Sequence, residues 1–150
     1  RFNIVGDGRF KETLKLKVSN SKLKEYFNFI DKQPAYRIPE FMAVCDATLI
    51  SLSKSKVFSK TLPAKVQSCL ACGVPIIVSA DGEVQNIIAK AHAGVCSDAG
   101  DAEGLAENIS LLLKMSIDEH SKMAQNALDY YQKYFDKEKL LNQMDKWFSR

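Results

Sequence analysis

No apolar run in this sequence is long enough to span a bilayer, and no signal peptide opens it. It has no internal repeat and no low-complexity segment, so neither a solenoid nor a disordered linker is expected. A strong charge of one sign is lacking too. The formal net charge is +3, with 21 basic and 18 acidic side chains. Residues 1–97 hold 14 basic and 8 acidic side chains; residues 98–150 hold 7 and 10. That balance is too mixed to argue for nucleic acid. The four cysteines, Cys45, Cys69, Cys72 and Cys96, include one C-x-x-C pair, Cys69 and Cys72. No second C-x-x-C and no paired histidine follows, so a zinc site would lack ligands. The pair falls within or at the end of a predicted helix, where a thiolate gains nothing from the free amides of a helix start. Small buried thiols in a reducing compartment are expected instead. No metal and no cofactor is expected.

The length, 150 residues, suits one domain with a real core, and the composition (46% hydrophobic, 26% charged) is that of an ordinary globular chain. Because the sequence begins with Arg and RFNIVG already reads as a strand, a fragment of a longer protein is expected.

The chain is organised around Lys54 to Ala80, KSKVFSKTLPAKVQSCLACGVPIIVSA. It holds Lys54, Lys56, Lys60 and Lys65 and no Asp or Glu. Pro63 fits the first turn of a helix, with Thr61 placed to accept a bond from the free amides. Gly73 suits the left-handed position that ends the helix, and Pro75 stops it continuing. A helix start beside lysines favours an anion, a phosphate or diphosphate above all. A solvated basic loop before an ordinary helix is the competing reading.

Around this stretch, strands and helices alternate. FNIVG (2–6) is a strand, broken by Gly6-Asp7-Gly8, and a helix over 10–18 follows with Leu14 and Val18 on one face. Gly6 and Gly8 are read as turn formers, since Gly-x-Gly without a third glycine is a weak nucleotide signal. A strand at 26–30 leads through Pro34 and Pro39 to a short helix, 38–45, that brings Phe41, Met42 and Cys45 to the core. ATLISLS (47–53) is a strand apolar enough to be covered on both faces. After the basic loop and the helix from Pro63 come the strand 75–80, the turn Asp81-Gly82-Glu83 and a helix over 84–93 ended by Gly94. Val84, Ile87, Ile88 and Ala91 point inward from that helix. VCS (95–97) is the last strand. Asp101 caps a helix to about Met115, and two helices, 116–135 and 136–148, close the chain. Tyr130, Tyr131, Tyr134, Phe135, Trp147 and Phe148 form an aromatic packing surface there.

Alternating elements predict an α/β fold: a three-layer, Rossmann-like parallel sheet of about five strands with a helical tail. Ligands of such sheets bind beyond the carboxyl ends of the strands. Those ends, at Gly6–Gly8, Asp31–Pro34, Ser53–Lys60, Asp81–Glu83 and Asp98–Gly100, are expected on one rim.

Four segments carry a resemblance to a known family: FNIVGDGRFKETL, IPEFMAVCDATLISL, TLPAKVQSCLACGVPIIVSADGEVQNII and AGDAEGLAENISLLL. Together they resemble the C-terminal, donor-binding domain of the retaining glycosyltransferases of family 4, of GT-B type. The likeness is strongest to the branch that builds bacterial capsule, O-antigen or exopolysaccharide. It implies an enzyme, a glycosyltransferase of hexosyl type, whose donor is a nucleotide-diphosphate sugar, usually a UDP-sugar. It implies a glycan or lipid-linked acceptor, no nucleic acid, and work in the cytoplasm at the inner face of a membrane. The diphosphate would be held by Lys60, Thr61, Leu62, Lys65 and Gly82, the ribose or sugar by Ser68 and Glu83, and the nucleobase by Ile30, Asp31 and Tyr36. No catalytic residue is assigned. Many members carry a Glu-x7-Glu pair here; this sequence has Lys60 and Ser68 at those positions and lacks both carboxylates. Glu83 is expected to cap its helix. The resemblance also places a further strand and an acceptor domain upstream of Arg1, so the fragment alone is expected to transfer nothing. The strands present are expected to close up in the order 2-1-3-4-5. Two rival readings share the fold: a nucleotide-sugar epimerase, for which His92 and His120 are badly placed, and a non-catalytic flavodoxin-like module that binds a phosphoryl ligand or a protein.

Overall fold

The computed structural model of the chain describes residues 1–149. The chain divides into two compact units, Arg1–Glu40 and the part from Phe41 onward.

In the first unit, β1 (Phe2–Val5) leads through the glycine turn to α1 (Lys11–Ser19), and β2 (Phe27–Ile30) returns parallel to β1. The pairing sets Phe2 against Phe27, and their rings stack at 5.0 Å between centroids. Asn28 donates to the Asn3 side chain at 2.9 Å on the same ladder. Val18 is the buried residue of α1, whereas Leu14 stays 37% exposed. The unit ends in a single turn at Ala35–Arg37 and the start of α2 (Ile38–Met42). The helix expected over 38–45 stops early. Cys45 lies beyond it and donates its thiol proton to the Phe41 carbonyl.

In the second unit, β3 (Thr48–Ser51), β4 (Ile76–Ser79) and β5 (Gly94–Ser97) form a parallel sheet in that order. All four residues of β4 are buried. Side chains alternate across a strand, so four in a row means that both faces are covered. The connecting helices are α3 (Ala64–Ala71) and α4 (Glu83–Ala91), and α5 (Ala102–Lys114), α6 (Ile117–Tyr134) and α7 (Lys137–Phe148) follow. Ile50, Val66, Leu70, Ile76, Val78, Val84 and Ile88 are the largest fully buried side chains. Val84 and Ile88 are two of the four side chains expected to point inward from α4. Tyr130, Tyr131 and Phe135 pack on this core, while Trp147 and Phe148 stay exposed, so the aromatic surface is two separate features.

Three expectations change. Among the described residues no ladder joins β1 to β3; the expected order holds within each sheet, but the sheets are two. A strand's sequence marks it as a strand, whereas its neighbour is chosen by long-range packing. β3 is an edge strand in which only Ile50 is buried and Leu49 is 44% exposed, so it is not covered on both faces. Gly94 does not end α4. His92 takes the left-handed position with φ 51, and Gly94 opens β5 against the Ile76 backbone.

Candidate functional site

The helix starts are not capped alike. The Asp101 carboxylate accepts from the Gly104 amide at the head of α5, and Asp136 accepts from Lys139 at the head of α7, both at 2.9 Å. Ser116 and Glu119 form a reciprocal capping box on α6. α3 and α4 have no side-chain cap. Among the described residues, no protein acceptor takes the amides of Leu62, Ala64 and Lys65, or those of Glu83, Val84 and Gln85. Each helix therefore presents a cluster of unsatisfied N–H groups and the positive end of its dipole.

The expected cap on α3 fails because Thr61 is used elsewhere. Its hydroxyl donates to the Val57 carbonyl at 2.7 Å, and its amide closes a turn on Phe58. Pro63 takes the N-cap place with extended backbone and offers no side-chain oxygen. At the other end Gly73 is left-handed with φ 61, as expected of the residue after the last turn. Glu83 does not cap α4 either. It sits in the first turn, where its carboxylate accepts from the Asn86 side chain at 3.3 Å.

Gly82 sets the start of α4 against the basic loop that leads into α3. Its φ is 82, and a Cβ there would run into the Ser59 backbone. So the turn after β4 lies directly against the basic loop. This turn is fixed from the other side. Asp81 accepts from the Ala99 amide at 2.9 Å, and Gln85 donates to the Ser97 carbonyl and to Asp98 at 3.0 and 3.1 Å. Lys54, Lys56, Lys60 and Lys65 are all exposed, and none is in an ion pair among the described residues. Backbone donors, a close glycine turn and free ammonium groups are chemistry that suits an anion.

Of the expected site residues, Lys60, Thr61, Leu62, Lys65, Ser68, Gly82 and Glu83 all belong to the second unit. Leu62 packs on the core, which anchors the loop, and Lys65 and Ser68 are exposed on α3. Ser68 donates its hydroxyl proton back to the Ala64 carbonyl at 3.3 Å. Its lone pairs remain, but it is no substitute for a carboxylate that accepts several bonds. Gly6, Gly8, Ile30, Asp31 and Tyr36 belong to the first unit. There Gly6 donates its amide to the Ile30 carbonyl, and Gly8 accepts from the Lys11 amide. Asp31 is held by Lys11 at 2.9 Å, and the Lys11 ammonium keeps its carboxyl below the usual carboxylate range. Tyr36 is 78% exposed.

The sequence reading missed the open amides of α4 and the side chain of Gln85, which locks the turn that carries them. A signal existed: no Ser, Thr, Asp or Asn stands immediately before Ala64 or Glu83, where a cap would be. The cysteines are all unpaired. Cys69 is buried, whereas Cys45, Cys72 and Cys96 are only half-buried, so the buried-thiol expectation holds for Cys69 and is corrected for Cys72, as is the core placement of Cys45. Burial pushes all four thiols up, Cys96 to about 11. Among the described residues no three His, Cys, Asp or Glu side chains gather as a metal site would need. No described helix is long and apolar enough to cross a membrane.

Residues 1–130 match the profile of the family described as glycosyl transferases group 1. Over 144 residues the chain is 30% identical to the N-acetyl-alpha-D-glucosaminyl L-malate synthase of Bacillus anthracis, covering 95% of this chain and 35% of that protein. It is 24% identical to an amylovoran biosynthesis glycosyltransferase of Erwinia amylovora, over 77% of this chain and 28% of that one. The chain thus spans about a third of the length of these curated relatives. Among solved structures, HepE of Anabaena in complex with UDP-glucose superposes with a TM-score of 0.79 at 20% identity, over 98% of this chain and 40% of that one. Sucrose-phosphate synthase of Thermosynechococcus elongatus gives 0.82 at 18% identity, over 98% and 37%. At those identities the likeness is one of fold.

Proposed function

The chain belongs to the group 1 glycosyl transferases, and from that premise we propose that it is the donor-binding part of a retaining enzyme. The donor is a nucleotide-diphosphate sugar, most simply a UDP-sugar. The observation that carries this reading is the pair of uncapped helix starts, α3 and α4, with the turn before α4 lying against Ser59 of the basic loop that leads into α3. A diphosphate matches it, because two adjacent phosphoryl groups offer acceptors to two sets of amides. Lys65 and Lys60 add charge where the departing diphosphate gains it. Catalysis then rests on stabilising that leaving group, without a resident metal and without a general base from these residues. Further support comes from the fold neighbour HepE, whose structure holds UDP-glucose, and from the relative described as an amylovoran biosynthesis glycosyltransferase. The full enzyme would serve a glycan or lipid-linked acceptor from the cytoplasm, at the membrane's inner face, with its acceptor domain supplied by the rest of the protein.

The test is a titration of this chain with UDP, GDP, UDP-glucose and flavin mononucleotide, followed by amide NMR shifts. The expected result is a response to UDP and UDP-glucose at Leu62, Ala64, Lys65 and Gly82–Gln85. Silence at those amides with every diphosphate, or a stronger response to flavin mononucleotide, overturns the reading in favour of a flavodoxin-like binding module.

A further inference from the structure

A cavity of about 540 Å3 opens at the amino ends of β3 and β4. Asp46 and Pro75, which line it, stand just before those parallel strands, whereas the basic loop and Gly82 follow their carboxyl ends. The cavity therefore lies at the other edge of the sheet. Its size is that of a small-molecule site, roughly 300–1,000 Å3. The walls are rich in sulfur. Met42, Cys45, Cys72 and Met115 line it, two of the chain's four methionines and two of its four cysteines. The C-x-x-C pair is split, since Cys72 lines the cavity and Cys69 does not. Sulfur is polarisable and makes favourable contacts with aromatic rings. Val74, Pro75 and Ile117 add apolar surface.

The polar groups of the lining share one sense. Asp46 is a carboxylate, and among the described residues no Lys or Arg lines the cavity. Asp46 is exposed and has no ion pair or side-chain hydrogen bond among those residues. His120 reaches the Leu112 carbonyl through Nε2 at 2.8 Å. A carbonyl oxygen only accepts, so Nε2 carries the proton and the neutral ring keeps a lone pair on Nδ1. Two helices also end here: Cys72 is the C-cap of α3 and Met115 that of α5. A helix end carries the negative pole of its dipole. α3 has no basic residue in its last turn, and Lys114 of α5 is exposed and outside the lining. α6 starts beside the cavity, but the box of Ser116 and Glu119 already occupies that helix start.

We infer that this cavity binds a small organic cation, an aromatic ring that carries a protonated amine. The ring lies against the sulfur and apolar walls. The ammonium, a donor only, meets the Asp46 carboxylate, the imidazole lone pair and the carbonyl end of α3. The same groups repel an anion, so a nucleotide does not compete for this cavity. The site is independent of the donor-domain reading, and neither stands or falls with the other.

The experiment follows NMR shifts of this chain with tryptamine, with indole-3-propionate as the same ring bearing an anion, and with propylamine as the ammonium without a ring. Tryptamine is expected to move the amides of Cys45, Asp46, Cys72, Gly73 and Ser121, and the two controls are not. Ring current should shift the methyl signals of Met42 and Met115 and leave those of Met123 and Met144 in place. Asp46→Asn should weaken tryptamine binding by about threefold to tenfold, the scale of one lost hydrogen bond. Ser121→Lys, which sets a fixed cation at an exposed position of the lining, should weaken it by roughly tenfold or more. Unchanged spectra elsewhere show that each variant is folded. No response to tryptamine, an equal response to either control, or full affinity in both variants overturns the site. A separate titration with UDP reads the α3 and α4 amides, and its outcome bears on the donor-domain reading alone.

Discussion

Gly82 and Lys65 show how much rests on single residues. Gly82 combines φ 82 with a backbone contact that leaves no room for a Cβ. Gly82→Ala is therefore expected to cost about 2 kcal/mol or more and to displace the basic loop. Chemical denaturation would read the loss, and unchanged stability would remove the contact from the argument. Lys65 is exposed and unpaired at the α3 start. In the complete enzyme, Lys65→Ala should weaken UDP-sugar binding by roughly 1–3 kcal/mol, the scale of a charge-assisted hydrogen bond. Calorimetry showing equal affinity would place Lys65 outside the site. Cys96 has its thiol pushed up to about 11 by burial. At pH 7 it is almost wholly the unreactive thiol. Its alkylation by iodoacetamide should rise about tenfold per pH unit up to that value. A plateau below pH 9, followed by mass spectrometry of the labelled peptide, would contradict this.

Helix starts decide matters at the level of the element. The capping box of α6 is complete, and bonds from Ser116 hold the Glu119 carboxyl below its usual range. A carboxyl whose folded pKa is depressed contributes stability above its unfolded pKa and loses it as pH falls through the folded one. The box should therefore weaken below about pH 4, from the ordinary glutamate value downward. Ser116→Ala at neutral pH should cost about 1 kcal/mol. The same change in a variant already lacking the Glu119 carboxyl should cost less, which a double-mutant cycle would measure. α3 and α4 have no such box. Their openness was half legible in the residues before them. That the turn before α4 meets the loop before α3 was not, because the contact between Ser59 and Gly82 joins residues distant in sequence.

Taken whole, the molecule has an uneven core. Val18 is the single buried apolar residue in the first unit, while the second buries β4 entirely along with the inner faces of α3 and α4. Amides of β1 and β2 should exchange with solvent several orders of magnitude faster than those of β4. Equal protection in hydrogen exchange would mean that the first unit draws stability from something other than its own burial. The alternation of strands and helices, the inward faces of α3 and α4, the caps on α5, α6 and α7 and the left-handed Gly73 were all determined by the sequence. Each depends on residues within one or two turns of each other, where propensity, period and cap chemistry act. Tertiary structure alone decided that the strands form two sheets, that Thr61 turns back to Val57 and that Glu83 turns to Asn86. Those outcomes depend on which distant segment supplies the partner, and burial across the whole chain settles that choice.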